Sequence, residues 1–289
     1  FITPFILTYL AMTVLFDSTS MAGLFVGIAA GVTSLATKSR ILADLKLLDT
    51  RIAHVMMVGA LIADSLSLIV FAAIVSVNDI GSLDVARILV VGLEVTIFFS
   101  VTIFTGLRVF PFAWAKLSQL GLTNRTFHAT LLLLVTLLFA ELAELAGLHA
   151  ILGAFLAGLF VREAIAVERR LAGELTDLVR DISIGFLAPI FFVTAGFHVT
   201  LDIFASSFDV LVIVIIMATF GKIAGTAAFY MFSGNGWREG VAIGAGMNGR
   251  GAVEIIIAEI ALSRGIISQD IFSVLVFMAI FTTATVPVS

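Results

Sequence analysis

The sequence predicts an all-α integral membrane protein, and three observations carry that prediction. Hydrophobic residues make up 61 % of the chain and charged residues 12 %. Mean hydropathy is +1.18, and soluble domains carry about 25 % charged residues. Apolar windows of about 20 residues, the length that crosses a hydrocarbon core, recur about ten times along the chain. Cysteine is absent, which excludes disulfides and thiolate metal sites. The net charge of −4 says little about partners, because position matters more than sum. No nucleic-acid partner and no enzymatic activity are expected.

The spans follow in order. The first covers 1–16 and the second 21–37; the third is 52–77 and the fourth 88–107. The fifth, 126–145, turns at Gly147 into the sixth, 148–161. The remaining four are 182–204, 208–232, 240–262 and 271–289. The connection 162–181 spaces Ile165, Leu171, Leu175 and Leu178 helically, which predicts an amphipathic helix on the membrane surface. Phe1 opens inside an apolar segment and the last residues stop inside another, so further sequence is expected at both ends.

Loop charges set the orientation. Twelve of the sixteen Lys and Arg residues, among them Lys38, Arg40, Lys46 and Arg51, fall in connections after even-numbered spans. Two, Arg87 and Arg264, follow odd-numbered spans, and Lys222 and Arg250 lie within spans. The positive-inside rule makes the even side cytoplasmic. Both visible termini then face the cytoplasm, and a multi-pass protein of the plasma membrane is expected, with the lipid bilayer as its first partner.

Asp64 sits in the middle of the third span, in GALIADSLSLIV. A carboxylate at bilayer depth costs about 2.5–3.5 kcal/mol on insertion scales, so it is kept for what it binds. Ser65 and Ser67 add oxygen donors close by. A carboxylate with neutral oxygens is a place where a proton and a hard cation compete.

Two spans are interrupted. The second contains Gly31-Val32-Thr33-Ser34, and the ninth contains the run GAGMNGRG, with Asn248 and Arg250 among its glycines. Membrane proteins tolerate broken helices where loose backbone lines a cavity. The breaks fall seven spans apart, so the two helices run in opposite directions. Paired interruptions of this kind point to an inverted-repeat transporter with a midplane site, to which half-helix ends bring partial charge.

Five segments in register, GVTSLATKSRIL, GALIADSLSLIV, LAELAGLHAILGAFLAGLF, APIFFVTAGFHV and GAGMNGRGAVEIIIAEIALSRGIIS, resemble the monovalent cation:proton antiporter superfamily. The branch they resemble contains bacterial and archaeal sodium/proton antiporters and the glutathione-gated potassium efflux systems. The resemblance covers nearly all of residues 1–289. It implies an inverted-repeat antiporter fold with two crossed, unwound helices in an ion-binding core of spans 2, 3, 8, 9 and 10. It also implies a dimerisation region that includes span 4, and hence a homodimer. N-terminal spans would be missing. Many relatives continue into a cytoplasmic regulatory domain, which here would lie beyond Ser289.

The resemblance carries over residue by residue. Asp64 matches the family's ion-binding aspartate, and Thr33 and Ser34 its unwound hydroxyl pair. Lys222 matches a membrane lysine before the second crossover, and Asn248, Arg250 and Glu254 fall within that crossover. Ala63 departs from the pattern, since relatives carry Asp, Asn or Gln before the binding aspartate. Alanine cannot ionise, so a two-carboxylate mechanism is not expected, and Lys222 loses its family partner.

The other polar residues have plainer readings. Arg250 and Glu254 are four apart, the spacing of a local ion pair. Glu94 reads as an inter-helix contact, and Glu141 and Glu144 as reaching the interface. His128, His149 and His198 are dispersed and form no metal-ligand pattern.

The expected function is secondary active exchange of protons for Na⁺ or K⁺ by alternating access at Asp64. Thr33, Ser34 and Ser65 supply further oxygens, Lys222, Asn248, Arg250 and Glu254 modulate the core, and exchange is electroneutral. No cofactor is expected beyond the transported ions. A gated cation channel is the alternative, although no filter-like motif stands in the sequence. So is an organic-anion transporter on a similar scaffold, with Arg250 and Lys222 holding the anion. An intramembrane aspartyl protease would need a second carboxylate opposing Asp64, and neither Glu254 nor Glu259 lies in a protease-like motif.

Overall fold

The computed structural model describes residues 1–47, 50–80, 85–119, 125–146, 150–165 and 169–288. The regular elements described are helical, and the chain divides into two compact units. The first unit gathers Phe1–Phe71 with Thr194–Ser289, and the second is Ala72–Val193. Five helical runs are long and apolar enough to cross a membrane by length and composition: Arg51–Phe71, Thr96–Trp114, Thr126–Leu145, Ala172–Phe197 and Phe208–Phe232. Three shorter apolar helices, Ile2–Leu15, Ser20–Gly31 and Gln269–Thr285, accompany them.

In the first unit, α1 (Ile2–Leu10) packs on α2 (Ser20–Gly31). Thr19 starts α2 by accepting a hydrogen bond from the Ala22 amide at 3.2 Å. Nearly every residue of α2 is buried, including Phe25, Val26 and Ile28. The helix stops at Gly31; Val32, Thr33 and Ser34 are non-helical, and α3 (Leu35–Asp44) follows. α4 (Arg51–Ile80) carries Asp64. Its early turns place Ala53 and Met56 in a cluster with Leu42 and Ile243. Further along, Phe71 meets Phe25 of α2 edge-on at 5.7 Å. Asp64 lies between these two anchor points.

The second unit begins within α4 at Ala72 and continues with α5 (Val85–Phe104) and α6 (Phe110–Gln119), joined by a π-helical turn at Thr105–Val109. A loop was expected from Arg108, but the helix continues. Pro111 lacks an amide hydrogen, and the π turn just before it absorbs the register change that proline forces. α7 (Arg125–Leu145) and α8 (Ala150–Ile165) pack through Phe139, Ala157 and Phe160. α9 (Arg169–Ile182) takes up the later part of the expected amphipathic helix, whereas Ile165 belongs to α8 and residues from Ala172 onward fall in an apolar run long enough to span. It does not end at the seventh span, because a π turn at Ser183–Leu187 carries it into α10 (Ala188–Phe197). Gly147 and His149 lie outside the described residues.

The chain returns to the first unit through the short α11 (Ile203–Ser206) and then α12 (Phe208–Phe232), which spans the interval expected. α13 (Trp237–Gly246) and α14 (Ala252–Ser263) are separated by non-helical residues 247–251, and α15 (Gln269–Thr285) completes the unit. α12 packs closely on both α13 and α1. Gly244 permits the α12–α13 approach, since a Cβ there would lie 2.8 Å from Ile223 Cα. Gly244→Val is therefore expected to lower stability by about 1–3 kcal/mol through overpacking. Melting temperature in detergent, compared with a valine placed at exposed Gly236, measures it.

Candidate functional site

The two helix breaks meet. The Ser34 amide donates to Gly249 O at 3.3 Å. Thr37 Oγ1 donates to Arg250 O at 2.8 Å and lies 3.0 Å from Ser34 Oγ. Ser34 Oγ accepts from the Thr37 amide at 3.2 Å, the geometry of an N-cap, so Ser34 starts α3 while its backbone ties α3 to the second break. Gly251 packs against the Ser34 side chain, since a Cβ there would stand 2.7 Å from Ser34 Cβ. That contact requires glycine at 251, and the other glycines of the run weaken the helix.

Ending α2 inside the protein exposes its last carbonyls. Ile28 O accepts from the Val32 amide at 3.0 Å. Ala29 O accepts from Arg250 Nη1 at 2.7 Å. Lys222 Nζ, from the middle of α12, donates to Gly31 O and to Thr33 Oγ1. Two cationic side chains thus close the negative end of α2, where the helix dipole favours them. The sequence left Lys222 without a partner, and the structure supplies one: released backbone and the Thr33 hydroxyl.

The remaining expected residues fall around this crossing. Asp64, Lys222, Asn248, Arg250 and Glu254 are all buried. Asn248 Nδ2 donates to Thr219 Oγ1 of α12 at 3.2 Å. Arg250 and Glu254 make the local pair that their spacing suggested, Nη1 to Oε2 at 3.7 Å. Thr283 of α15 receives the Arg250 amide at 3.0 Å. Lys222 interacts electrostatically with Asp64, Glu254 and Arg250, so one charged cluster includes them all. Ser67 turns its hydroxyl to the Asp64 backbone carbonyl at 2.7 Å, and its proton is thereby committed to its own helix. The side chains of Ser65 and Glu94 lie outside the described residues.

Sequence reasoning placed Lys38 among the cytoplasmic loop charges, and the structure corrects this. Lys38 is 1 % exposed, and its ammonium donates to Ser34 O at 3.3 Å and Gly249 O at 3.2 Å. It is also within electrostatic range of Asp64, Arg250 and Glu254. Its position four residues after Ser34 was the available signal, because one helical turn brings its stem back to the break.

A cavity of about 420 Å³ in the first unit is lined by Ala63, Lys222, Thr226, Tyr230 and Ser233, among others. It therefore extends from the charged cluster along α12 to the connection after it. Ala63, next to Asp64, faces it.

The profile of the family described as "Sodium/hydrogen exchanger, transmembrane" matches residues 1–289. The chain is similar to Cation/H(+) antiporter 19 of Arabidopsis thaliana, 32 % identical over 263 residues, covering 90 % of this chain and 32 % of that one. It is similar to the Na(+)/H(+)-K(+) antiporter GerN of Bacillus cereus, 29 % identical over 263 residues, covering 91 % and 65 % respectively. It is also similar to the high-affinity Na(+)/H(+) antiporter NhaS3 of Synechocystis, 27 % identical over 297 residues, covering 99 % and 61 %. The chain thus spans about a third of the plant relative's length and under two thirds of these two bacterial ones.

The Arg250–Glu254 pair and the Ala29 carbonyl make a testable unit. Arg250→Leu leaves a buried carboxylate and a backbone carbonyl without their cation, and is expected to cost about 3–5 kcal/mol. Adding Glu254→Leu removes the uncompensated charge and should recover part of that loss. A double-mutant cycle on melting temperature reads the coupling; additive losses would show that the two side chains do not act together.

Proposed function

The chain belongs to the transmembrane sodium/hydrogen exchanger family, and from that premise we propose that residues 1–289 exchange protons for a monovalent cation, Na⁺ or K⁺, at Asp64. The observation that supports this reading best is the placing of Asp64. It is a buried carboxylate at mid-helix, in the same charged cluster as Lys38 and Lys222, beside a crossing of two broken helices rich in released oxygens. Protonated, the carboxyl has no charge with which to hold a cation. Ionised, it accepts one, with oxygens from Thr33, Ser34, Ser65 or crossover backbone. Competition for one group couples the two ions without their ever meeting.

Asp64 is exposed alternately to the two sides as the ion-transporting part moves against the dimerisation part. In this reading the two breaks belong to inverted repeats, the first unit is the ion-transporting core of a homodimer, and both visible ends face the cytoplasm of a cell membrane. The loop charges then make the cavity beside Lys222 a cytoplasmic approach to the site. An organic-anion transporter is disfavoured, because Arg250 already faces the Glu254 carboxylate and Lys222 donates to Gly31 O and Thr33 Oγ1. A channel would conduct without fixed coupling, and proton-coupled turnover separates it from an exchanger.

Asp64→Asn is expected to abolish cation-dependent proton movement in proteoliposomes while leaving the protein inserted and its melting temperature close to that of the parent chain. Parental transport rates in a folded Asp64→Asn protein would sink the reading. Comparing Na⁺, K⁺ and Li⁺ in the same vesicles assigns the cation.

Exchange is one proton for one cation. A single carboxylate carries one positive charge in either loaded state, Ala63 offers no second acid, and Arg250 with Glu254 forms an internally paired unit. The reversal point measured at fixed ion gradients should then be independent of imposed voltage. A reversal point that shifts with voltage would make Lys222 the second proton carrier, and a Lys222 substitution should then remove the shift.

A further inference from the structure

Lys38 has no part in the exchange cycle as proposed, yet it occupies the centre of the crossing. Its stem folds back one turn along α3, and its ammonium touches one carbonyl from each break: Ser34 O on the first and Gly249 O on the second. The side chain is sealed from solvent. Carbonyls released from unwound helices are the ligands with which transporters and channels coordinate alkali cations. An ammonium group matches a dehydrated potassium ion in charge and closely in size.

Building on the reading of Asp64 above, we propose that the Lys38 ammonium is a tethered cation seated in a two-carbonyl site of the helix crossing, where it holds the breaks together and excludes a second monovalent cation from the neighbourhood of Asp64. One consequence is the loading number. With the carbonyl site filled by the protein's own charge, the mobile cation is held at Asp64. Another consequence is affinity. A fixed positive charge within electrostatic range of Asp64 weakens the hold of that carboxylate on Na⁺ or K⁺, which favours release after transfer. An arginine could not substitute, since its planar fork is larger than the point charge these carbonyls surround.

A purely structural lysine would also bridge two carbonyls, so the test must read occupancy by ions. The full chain is purified in choline buffer as the parent protein, Asp64→Asn, Lys38→Ala, and Asp64→Asn with Lys38→Ala. Removing the ammonium takes one donor from each carbonyl and leaves each with a backbone amide, Lys38 N on Ser34 O and Ser34 N on Gly249 O, so Lys38→Ala should melt at a lower temperature than the parent. Potassium, rubidium or ammonium chloride should then raise the melting temperature of the double variant in a saturable way, as a ligand bound to the native state does. Asp64→Asn alone should show no such rise, because its carbonyl site is filled. Rubidium-86 binding should follow the same pattern. Lys38→Ser, which keeps a hydroxyl donor for one carbonyl, is the second variant if alanine does not give folded protein, with the same expectation. A folded double variant that neither binds rubidium nor is stabilised by potassium overturns the proposal. Potassium stabilisation of Asp64→Asn alone would count against the reading of Asp64, while the difference between double and single variants still decides the role of Lys38.

Discussion

Backbone that leaves a helix inside a membrane protein must find partners without water, and the charged residues of the first unit are arranged around that demand. Each unsatisfied carbonyl or amide at such depth costs several kcal/mol. α2 stops at Gly31 and α13 at Gly246, so a cluster of such groups is released in one place. Ala29 O and Gly31 O are met by Arg250 and Lys222, and Lys38 adds a donor to Ser34 O and Gly249 O, which also accept backbone amides. These side chains carry full charges, and burying them is costly in turn. What offsets the cost is that each makes charge-assisted bonds to fixed dipoles, two of them at the negative end of α2.

The same arrangement makes a carboxylate tenable. Asp64 and Glu254 sit among three basic side chains, and Glu254 is matched to Arg250 at 3.7 Å. Asp64 lies in a field set by Lys38 and Lys222, which also donate to backbone carbonyls. That field supports its charge, which suits a group that must exchange a proton for a cation. At Ala63 a second acid would face the cavity that Lys222 also lines. Its absence leaves Lys222 bound to the end of α2, and so ties the electroneutral reading to a backbone contact.

Much of this was legible in the sequence, and the reasons are local. Asp64 stands out because a lone carboxylate in an apolar run has no cheap explanation. The breaks are written in GVTS and GAGMNGRG, where glycine and small polar side chains weaken helix within a few residues. Arg250 and Glu254 pair four residues apart, as their spacing suggested, although Arg250 stands in the non-helical segment before α14. The contact made by Lys222 was not legible, because its partners lie 191 and 189 residues away in sequence. Lys38 was hidden by its neighbours, since Arg40, Lys46 and Arg51 made the stretch read as a basic loop. The fusions at Thr105–Val109 and Ser183–Leu187 were missed because a π turn absorbs an irregularity that would otherwise end a helix.

The central claim is that one carboxyl group holds either a proton or a cation. Infrared difference spectroscopy on the purified chain tests it directly, with a pH indicator to count protons. At a pH where the site is protonated, adding the transported cation should erase one protonated-carboxyl band and release one proton per cation bound. Both signals should be missing from the Asp64→Asn protein. Cation binding that leaves the carboxyl band intact and releases no proton would contradict the account.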